Sequence, residues 1–274
     1  MDTLCECGGG LVDALNTKIY GNGTQTIVLS HGFGTDQTVW QYLVPFLAYY
    51  FKVVVFDLVF SPNVDPNLYD PKKYSSFDFY AQDLICILDQ LSVKKSIYVG
   101  HSMSAMIGFK AAIRRPELFE HLVLLSGSPR YLNEKGYNGG FRRSDLNSIF
   151  KDMHQNFTGW VQSFAPRAIS VNNITAIAKF ERSLGRMQPE IALSVAKTVF
   201  LSDLRTVLPQ VRVPSTIIQS EKDIIVPKSV AFYMKRKLGG RARVKILKTQ
   251  GHFPQLTAYP LLSHVLKRVL CTSE

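Results

Sequence analysis

Short continuous apolar runs alternate along this chain with segments whose apolar residues recur every three or four positions, the pattern of buried strands separated by amphipathic helices. Thr26 to Ser30, Lys52 to Asp57, Ile97 to Val99, His121 to Ser126 and Ser215 to Ser220 read as strands. Phe77, Tyr80, Ala81, Leu84, Ile85, Leu88 and Leu91 fall on one helical face between the second and third of these runs. The alternation predicts a doubly wound, mostly parallel sheet of the α/β class. Thr17 to Tyr20, then Gly21-Asn22-Gly23, then Thr26 to Ser30 predicts two strands joined by a tight turn. Arg243, Lys245 and Lys248, interleaved with Val244, Ile246 and Leu247, predict a further strand with one solvated face.

The alternation breaks between 132 and 208, where no strand-like run occurs. The pattern there predicts helices over Ser144 to Asn156, Phe157 to Ala165, Asn173 to Gly185 and Pro189 to Leu201, the second stopped by Pro166. Ser144 and Asn173 suit N-caps, and Pro189 suits a first helical position. The expected organisation is a core over 1–131, a four-helix lid over 132–208 and the rest of the core over 209–274.

The third strand runs into Gly100-His101-Ser102-Met103-Ser104 and then directly into an apolar helix. A serine between small residues at a strand-to-helix turn is the G-x-S-x-G pattern of a nucleophile elbow, with Ser104 in the place of the second glycine. A base and an acid are expected after it in the order acid, then histidine. Asp223 and His252 each lie just past a strand, about thirty residues apart, as that order requires. Asp57 precedes Ser102 and is expected to be structural. The glycine-flanked loop His31-Gly32-Phe33-Gly34 suits half of an oxyanion hole, with the Phe33 and Met103 backbone N–H groups as its donors.

Composition bounds these readings without changing them. The 274 residues are 46% hydrophobic and 19% charged, enough for one large core with an insertion. No apolar run reaches membrane-spanning length, and the N-terminus lacks the basic and apolar regions of a secretory signal. Cys5, Cys7, Cys86 and Cys271 form no disulfide framework or metal-ligand spacing beyond one C-x-C, so cytoplasmic and nuclear residence is expected. The sequons at Asn22, Asn156 and Asn173 are then chance matches. The net charge of +11 is mostly C-terminal, where residues 209–274 hold twelve basic against three acidic side chains. With no interleaved aromatics and no DNA-binding motif, that charge does not predict a nucleic-acid partner.

Taken together, His31-Gly32-Phe33-Gly34, Gly100 to Gly108, Ser128-Pro129-Arg130-Tyr131, Gly139-Gly140-Phe141, Ala192-Leu193-Ser194, Ser202-Asp203 and His252 to Leu256 resemble the plant strigolactone and karrikin receptor hydrolases over residues 11 to 270. Met103 and Phe253, where valine and leucine are usual, look more like the receptor-like paralogue of that family. The resemblance implies an α/β-hydrolase fold with a helical lid and a Ser102, His252, Asp223 triad. It also implies a small apolar butenolide ligand, with an F-box leucine-rich-repeat protein and Clp-ATPase-like repressors as partners. The pocket is expected to be lined by Phe33, Tyr131 and Phe253 of the core and by Ile149, Trp160, Phe164, Val199 and Phe200 of the insertion. No cofactor, metal or membrane is expected, and the chain is expected to be a monomer. A metabolic carboxylesterase or lactonase without signalling, and a binding protein with a vestigial triad, are the other functions open to such a chain.

Overall fold

The computed structural model describes residues 9–270, so the C-x-C of Cys5 and Cys7 and the terminal Cys271 lie outside the described residues. In chain order the elements are α1 (Leu11–Ala14), β1 (Lys18–Tyr20), β2 (Thr26–Ser30), α2 (Val44–Ala48), β3 (Lys52–Phe56), α3 (Phe77–Gln90), β4 (Ser96–His101), α4 (Met103–Arg114) and β5 (Phe119–Leu125). There follow α5 (Arg143–Gln155), α6 (Phe157–Ile169), α7 (Ile174–Gly185), α8 (Pro189–Leu201), β6 (Ser215–Lys222), α9 (Lys228–Lys237), β7 (Ala242–Gln250), α10 (Pro254–Thr257) and α11 (Tyr259–Leu270).

The strands form one sheet in the order β1-β3-β2-β4-β5-β6-β7, parallel throughout except for β1. β2 and β4 are buried along their whole length, which is why their sequences carry apolar residues at consecutive positions. The chain moves one way from β2 to β3 and the other way from β3 to β4. The C-terminal ends of β2 and β4 therefore flank a topological switch point, where a parallel sheet leaves an open crevice. His31 and Ser102 are the first residues beyond those two ends.

The hairpin expected of β1 and β2 does not form. β2 has β3 on one side and β4 on the other, so β1 pairs antiparallel with the outer edge of β3. Gly21 and Gly23 allow close passage instead of a hairpin turn. A Cβ at Gly21 would lie 2.4 Å from the Ala48 and Phe51 carbonyl oxygens, and one at Gly23 2.4 Å from that of Tyr50. At the other edge, Arg243, Lys245 and Lys248 are exposed on β7 and discourage pairing with a further strand.

Helices α5 to α8 leave the sheet after β5 and return before β6. Two ties close the neck of this excursion: the Leu204 N–H donates to the Pro129 carbonyl at 2.8 Å, and Arg130 Nη1 meets Asp203 Oδ2 at 2.6 Å. Asn173 caps α7 by accepting from Ala176 N, and Pro189 opens α8. Ser144 does not cap α5: Arg142 occupies that place, and the Asp145 carboxylate accepts its N–H at 2.8 Å. α6 also runs through Pro166 to Ile169. Ala165, Ala168 and Ile169 are buried there, and tertiary packing of the last turn overrides the local cost of the proline. Cys86 on α3 is disulfide-bonded, a pairing the cysteine spacing did not reveal.

On the sheet side, Tyr69 donates to Ser194 of α8 at 2.9 Å, and the neighbouring Tyr74 donates to Asp83 Oδ2 of α3 at 2.9 Å. Desolvation pushes the Asp83 carboxyl up to about 6, against the opposing Tyr74 hydrogen bond and Lys73 charge. A carboxyl raised in the folded state favours folding below its unfolded pKa of about 3.9 and loses that contribution as pH rises through its folded value. Asp83→Asn is therefore expected to stabilise the protein by about 1–2 kcal/mol near neutral pH and to be close to neutral near pH 4. Thermal melting at the two pH values checks this, and equal shifts at both would exclude a buried charge as the cause.

Candidate active site

β4 ends in Gly100-His101, and the chain turns into α4 at Ser102, with φ 56° and ψ −120°. A non-glycine residue in that region costs on the order of 1–3 kcal/mol and persists only when its surroundings hold it. The Ser102 N–H donates to the Leu125 carbonyl at 2.8 Å. Strand and helix approach so closely that a Cβ at Gly100 would lie 2.5 Å from the Ser104 carbonyl oxygen. Ser104 adds a tie that a glycine lacks. Its hydroxyl donates to the His31 carbonyl and accepts from Ser30 Oγ, which fastens the elbow helix to the end of β2.

The loop after β2 is set by a buried histidine. His31 Nε2 accepts from Leu58 N at 2.8 Å, so its proton sits on Nδ1, which faces the Gly32 carbonyl at 3.0 Å. Burial lowers the His31 pKa, the nearby Asp57 charge opposing it only in part, and the ring stays neutral. Thr35 donates to the same carbonyl through Oγ1 at 2.9 Å. Because the Gly32 C=O and the Phe33 N–H share one planar trans peptide, pinning the carbonyl sends the N–H the opposite way. Met103 opens α4, where a backbone N–H has no helical partner. Asp57 is structural here: its carboxylate accepts from Gln37 N at 2.8 Å and from Asn16 Nδ2 at 3.1 Å.

Asp223 and His252 reach the elbow from the ends of β6 and β7. His252 Nε2 lies 2.9 Å from Ser102 Oγ, and its Nδ1 lies 2.8 Å from Asp223 Oδ2. Asp223 Oδ1 accepts from the Ile225 and Val226 N–H groups, and Oδ2 from Gln219 Nε2, so the carboxylate is fixed on both oxygens. It thereby holds the imidazole in the tautomer with the proton on Nδ1, leaving Nε2 free to accept from serine. The His252 backbone is held as well. Its N–H donates to Ala168 O of α6 at 2.9 Å, and its carbonyl accepts from His101 Nε2 at 2.8 Å. His101 is fully buried, and desolvation together with the neighbouring His252 keeps its pKa well below the usual histidine range.

A cavity of about 20 Å³ sits over Ser102 and His252. Phe33, Tyr131, Phe164, Val199, Phe200 and Phe253 line it. Ile149 and Trp160 do not: they line an outer groove of about 900 Å³ between α5, α6 and the loop at Ile224. Met103 is fully buried, and its side chain is not part of the cavity lining. Phe180, another aromatic of the insertion, lines the cavity too, as do Ala168 and Ile225, which the sequence pattern does not single out. Ile225 follows Asp223 by two residues, a usable signal, whereas Ala168 was hidden by the expected stop at Pro166.

A serine on a strained strand-to-helix turn, with histidine and aspartate delivered from later strands of a parallel sheet, defines a hydrolase of the α/β class. The profile of the alpha/beta hydrolase fold matches residues 25–259. A strigolactone esterase of Arabidopsis thaliana is 45% identical over 95% of this chain and 97% of its own length. Karrikin insensitive 2 receptor CA of Petunia hybrida is 48% identical over 95% and 97%. A hydrolase from Oleispira antarctica superimposes with a TM-score of 0.94 at 30% identity, covering 99% of this chain and all of that one. The chain belongs to the α/β hydrolase family, in the group that holds the strigolactone esterases and karrikin receptors.

The weakest tolerance to change is expected at Gly251, beside the histidine. It has φ 92°, and a Cβ would lie 2.0 Å from the Ile169 carbonyl oxygen. Gly136 has φ 79° but open space around it, and serves as the control for backbone strain alone. Gly251→Ala is expected to cost more than about 2 kcal/mol and Gly136→Ala about 1 kcal/mol. Melting curves of the two variants give the comparison, and ester hydrolysis by Gly251→Ala should fall with the displacement of His252.

Proposed function

We propose that this protein is a serine hydrolase-type receptor for butenolide signals, which binds and slowly hydrolyses a strigolactone- or karrikin-like lactone. The observation that carries the reading is the unbroken hydrogen-bonded line from Ser102 Oγ through His252 to Asp223. The names of the curated relatives support the substrate class.

In the mechanism, His252 Nε2 takes the Ser102 proton as Oγ attacks the lactone carbonyl carbon. The carbonyl electrons move to oxygen, which the Phe33 and Met103 N–H groups stabilise, while Asp223 stabilises the imidazolium. Collapse breaks the bond to the ring oxygen, which takes its proton from His252, and water then releases the acyl group by the same steps in turn. Phe33, Val199, Phe200 and Phe253 supply apolar surface for a small ring.

The insertion over 132–208 acts in this reading as a lid on the core of 1–131 and 209–274. The cavity as it stands has room for about one water, so a ligand enters only when the lid rearranges. An F-box leucine-rich-repeat protein and Clp-ATPase-like repressors are the partners proposed to read that rearrangement, with a cytoplasmic and nuclear monomer as the working form. Among the described residues, no helix is long and apolar enough to cross a membrane.

Intact-protein mass spectrometry after exposure to a butenolide-bearing strigolactone analogue tests the reading through an adduct on Ser102 or His252. Ser102→Ala and His252→Ala are each expected to lower hydrolysis of an activated ester by about 10³-fold or more, with melting unchanged, because such residues act as a unit. Near wild-type turnover in Ser102→Ala would sink the hydrolase reading. Phe164 lines both the cavity and the outer groove. Phe164→Ala should therefore raise turnover of bulky acyl esters relative to acetate esters, and an unchanged ratio would deny Phe164 a role as the wall between them.

A further inference from the structure

Tyr131 places a hydroxyl on the nucleophile that the mechanism above does not use. The side chain is 1% exposed, and its hydroxyl oxygen lies 3.5 Å from Ser102 Oγ, the oxygen that His252 also meets. The residue is rigidly mounted. Its carbonyl accepts from Phe141 N at 3.0 Å, Gly139 packs so tightly that a Cβ would come within 2.6 Å of that carbonyl, and its ring stands edge-on to Phe200. Burial, reinforced by the Asp223 charge, pushes the phenol pKa up against the Ser102 hydrogen bond, so the hydroxyl keeps its proton. Because the Ser102 hydroxyl proton is directed at His252 Nε2, the neutral phenol is the partner left to donate across this long contact.

We propose that Tyr131 is a further catalytic residue, donating to Ser102 Oγ at rest and to the departing oxygen once Ser102 has attacked. The inference rests on the hydrolase reading. No proton moves from Tyr131: Oγ bonds to the acyl carbon, the carbon–oxygen bond to the leaving group breaks, and the departing oxygen takes the proton that His252 removed from Ser102. Tyr131 shares the negative charge that builds on that oxygen before the proton arrives. Phe33, Phe164, Val199, Phe200 and Phe253 make the surrounding wall apolar, so no other side-chain donor there can do the same. The device therefore favours substrates whose leaving oxygen is a poor one, an alkoxide or an enolate tethered within an opened ring, over activated aryl esters.

The test is Tyr131→Phe, which keeps the ring and removes one oxygen, assayed on an ethyl ester and a p-nitrophenyl ester of the same short acid. The nitrophenolate delocalises its own charge and needs no donor. The kcat for the ethyl ester is expected to fall about tenfold and that for the p-nitrophenyl ester less than about threefold, the scale of one hydrogen bond to a charged oxygen. KM should change little for either, and melting should match wild type. Equal losses on both esters, with or without lost stability, would show a packing role and overturn the proposal, as would no loss on either. Ser102→Ala run alongside separates the two claims: if it is inactive while Tyr131→Phe treats both esters alike, only the Tyr131 proposal fails.

Discussion

The strained turn at Ser102 is the constraint on which the rest of the site depends. A backbone at φ 56° and ψ −120° would relax if β4 and α4 could separate, and the serine would then leave the mouth of the crevice. Several modest interactions prevent this. Ser102 N is paired with Leu125 O, Ser104 is tied to His31 and Ser30, and Gly100 lets the helix approach the strand. Each such hydrogen bond contributes about 1 kcal/mol, so together they match a strain of about 1–3 kcal/mol. The Ser104 tie also explains why a serine can replace the second glycine of the elbow: it couples the nucleophile to the oxyanion loop through the very carbonyl, His31 O, that precedes that loop.

A second constraint links the insertion to the base. The last turn of α6 hydrogen-bonds the His252 backbone through Ala168 O, and Gly251 admits the Ile169 carbonyl at a distance no side chain allows. On its other side His252 is held by the neutral His101 of the elbow. The histidine is thus clamped between the nucleophile's strand and the insertion. A rearrangement of the insertion that leaves His252 in place has to pivot about the end of α6, whereas one that shifts that end shifts the base with it. The position of the end of α6 and the position of His252 are in this way physically coupled.

What could be read from the sequence follows from how local each feature is. The strands were legible because central parallel strands are buried on both faces and so run apolar without interruption. The elbow, acid and base were legible because fold order and strand ends fix where they fall. The pairing of β1 was not, since Gly21 and Gly23 signal a tight turn equally well when they merely slip past the end of α2. The length of α6 was hidden because Pro166 breaks a helix in isolation but not one whose last turn is buried. That Ile149 and Trp160 line the outer groove is not legible, because helical periodicity says which face is apolar, not which of two neighbouring hollows it meets. Cavity size is still less legible, being a small difference between the volumes of many packed side chains.

That small difference bears on how ligand binding could be read by a partner. Phe164 and Ile225 line both the cavity of about 20 Å³ and the groove of about 900 Å³, so the apolar wall between the two is thin. A small lactone burying about 150 Å² of apolar surface gains about 4 kcal/mol by transfer alone. Taking a two-state lid from one per cent to ninety-nine per cent of one form requires about 5.5 kcal/mol of preference for that form. Transfer alone falls short, and part of it is already offset by displacing Phe164. A full conformational response therefore calls for a second source of preference. A covalent bond to Ser102 or His252 is one, because it acts at the residue to which α6 is fastened. A partner that binds only one arrangement of the insertion is the other, and in that case ligand and partner strengthen each other's binding by the same factor.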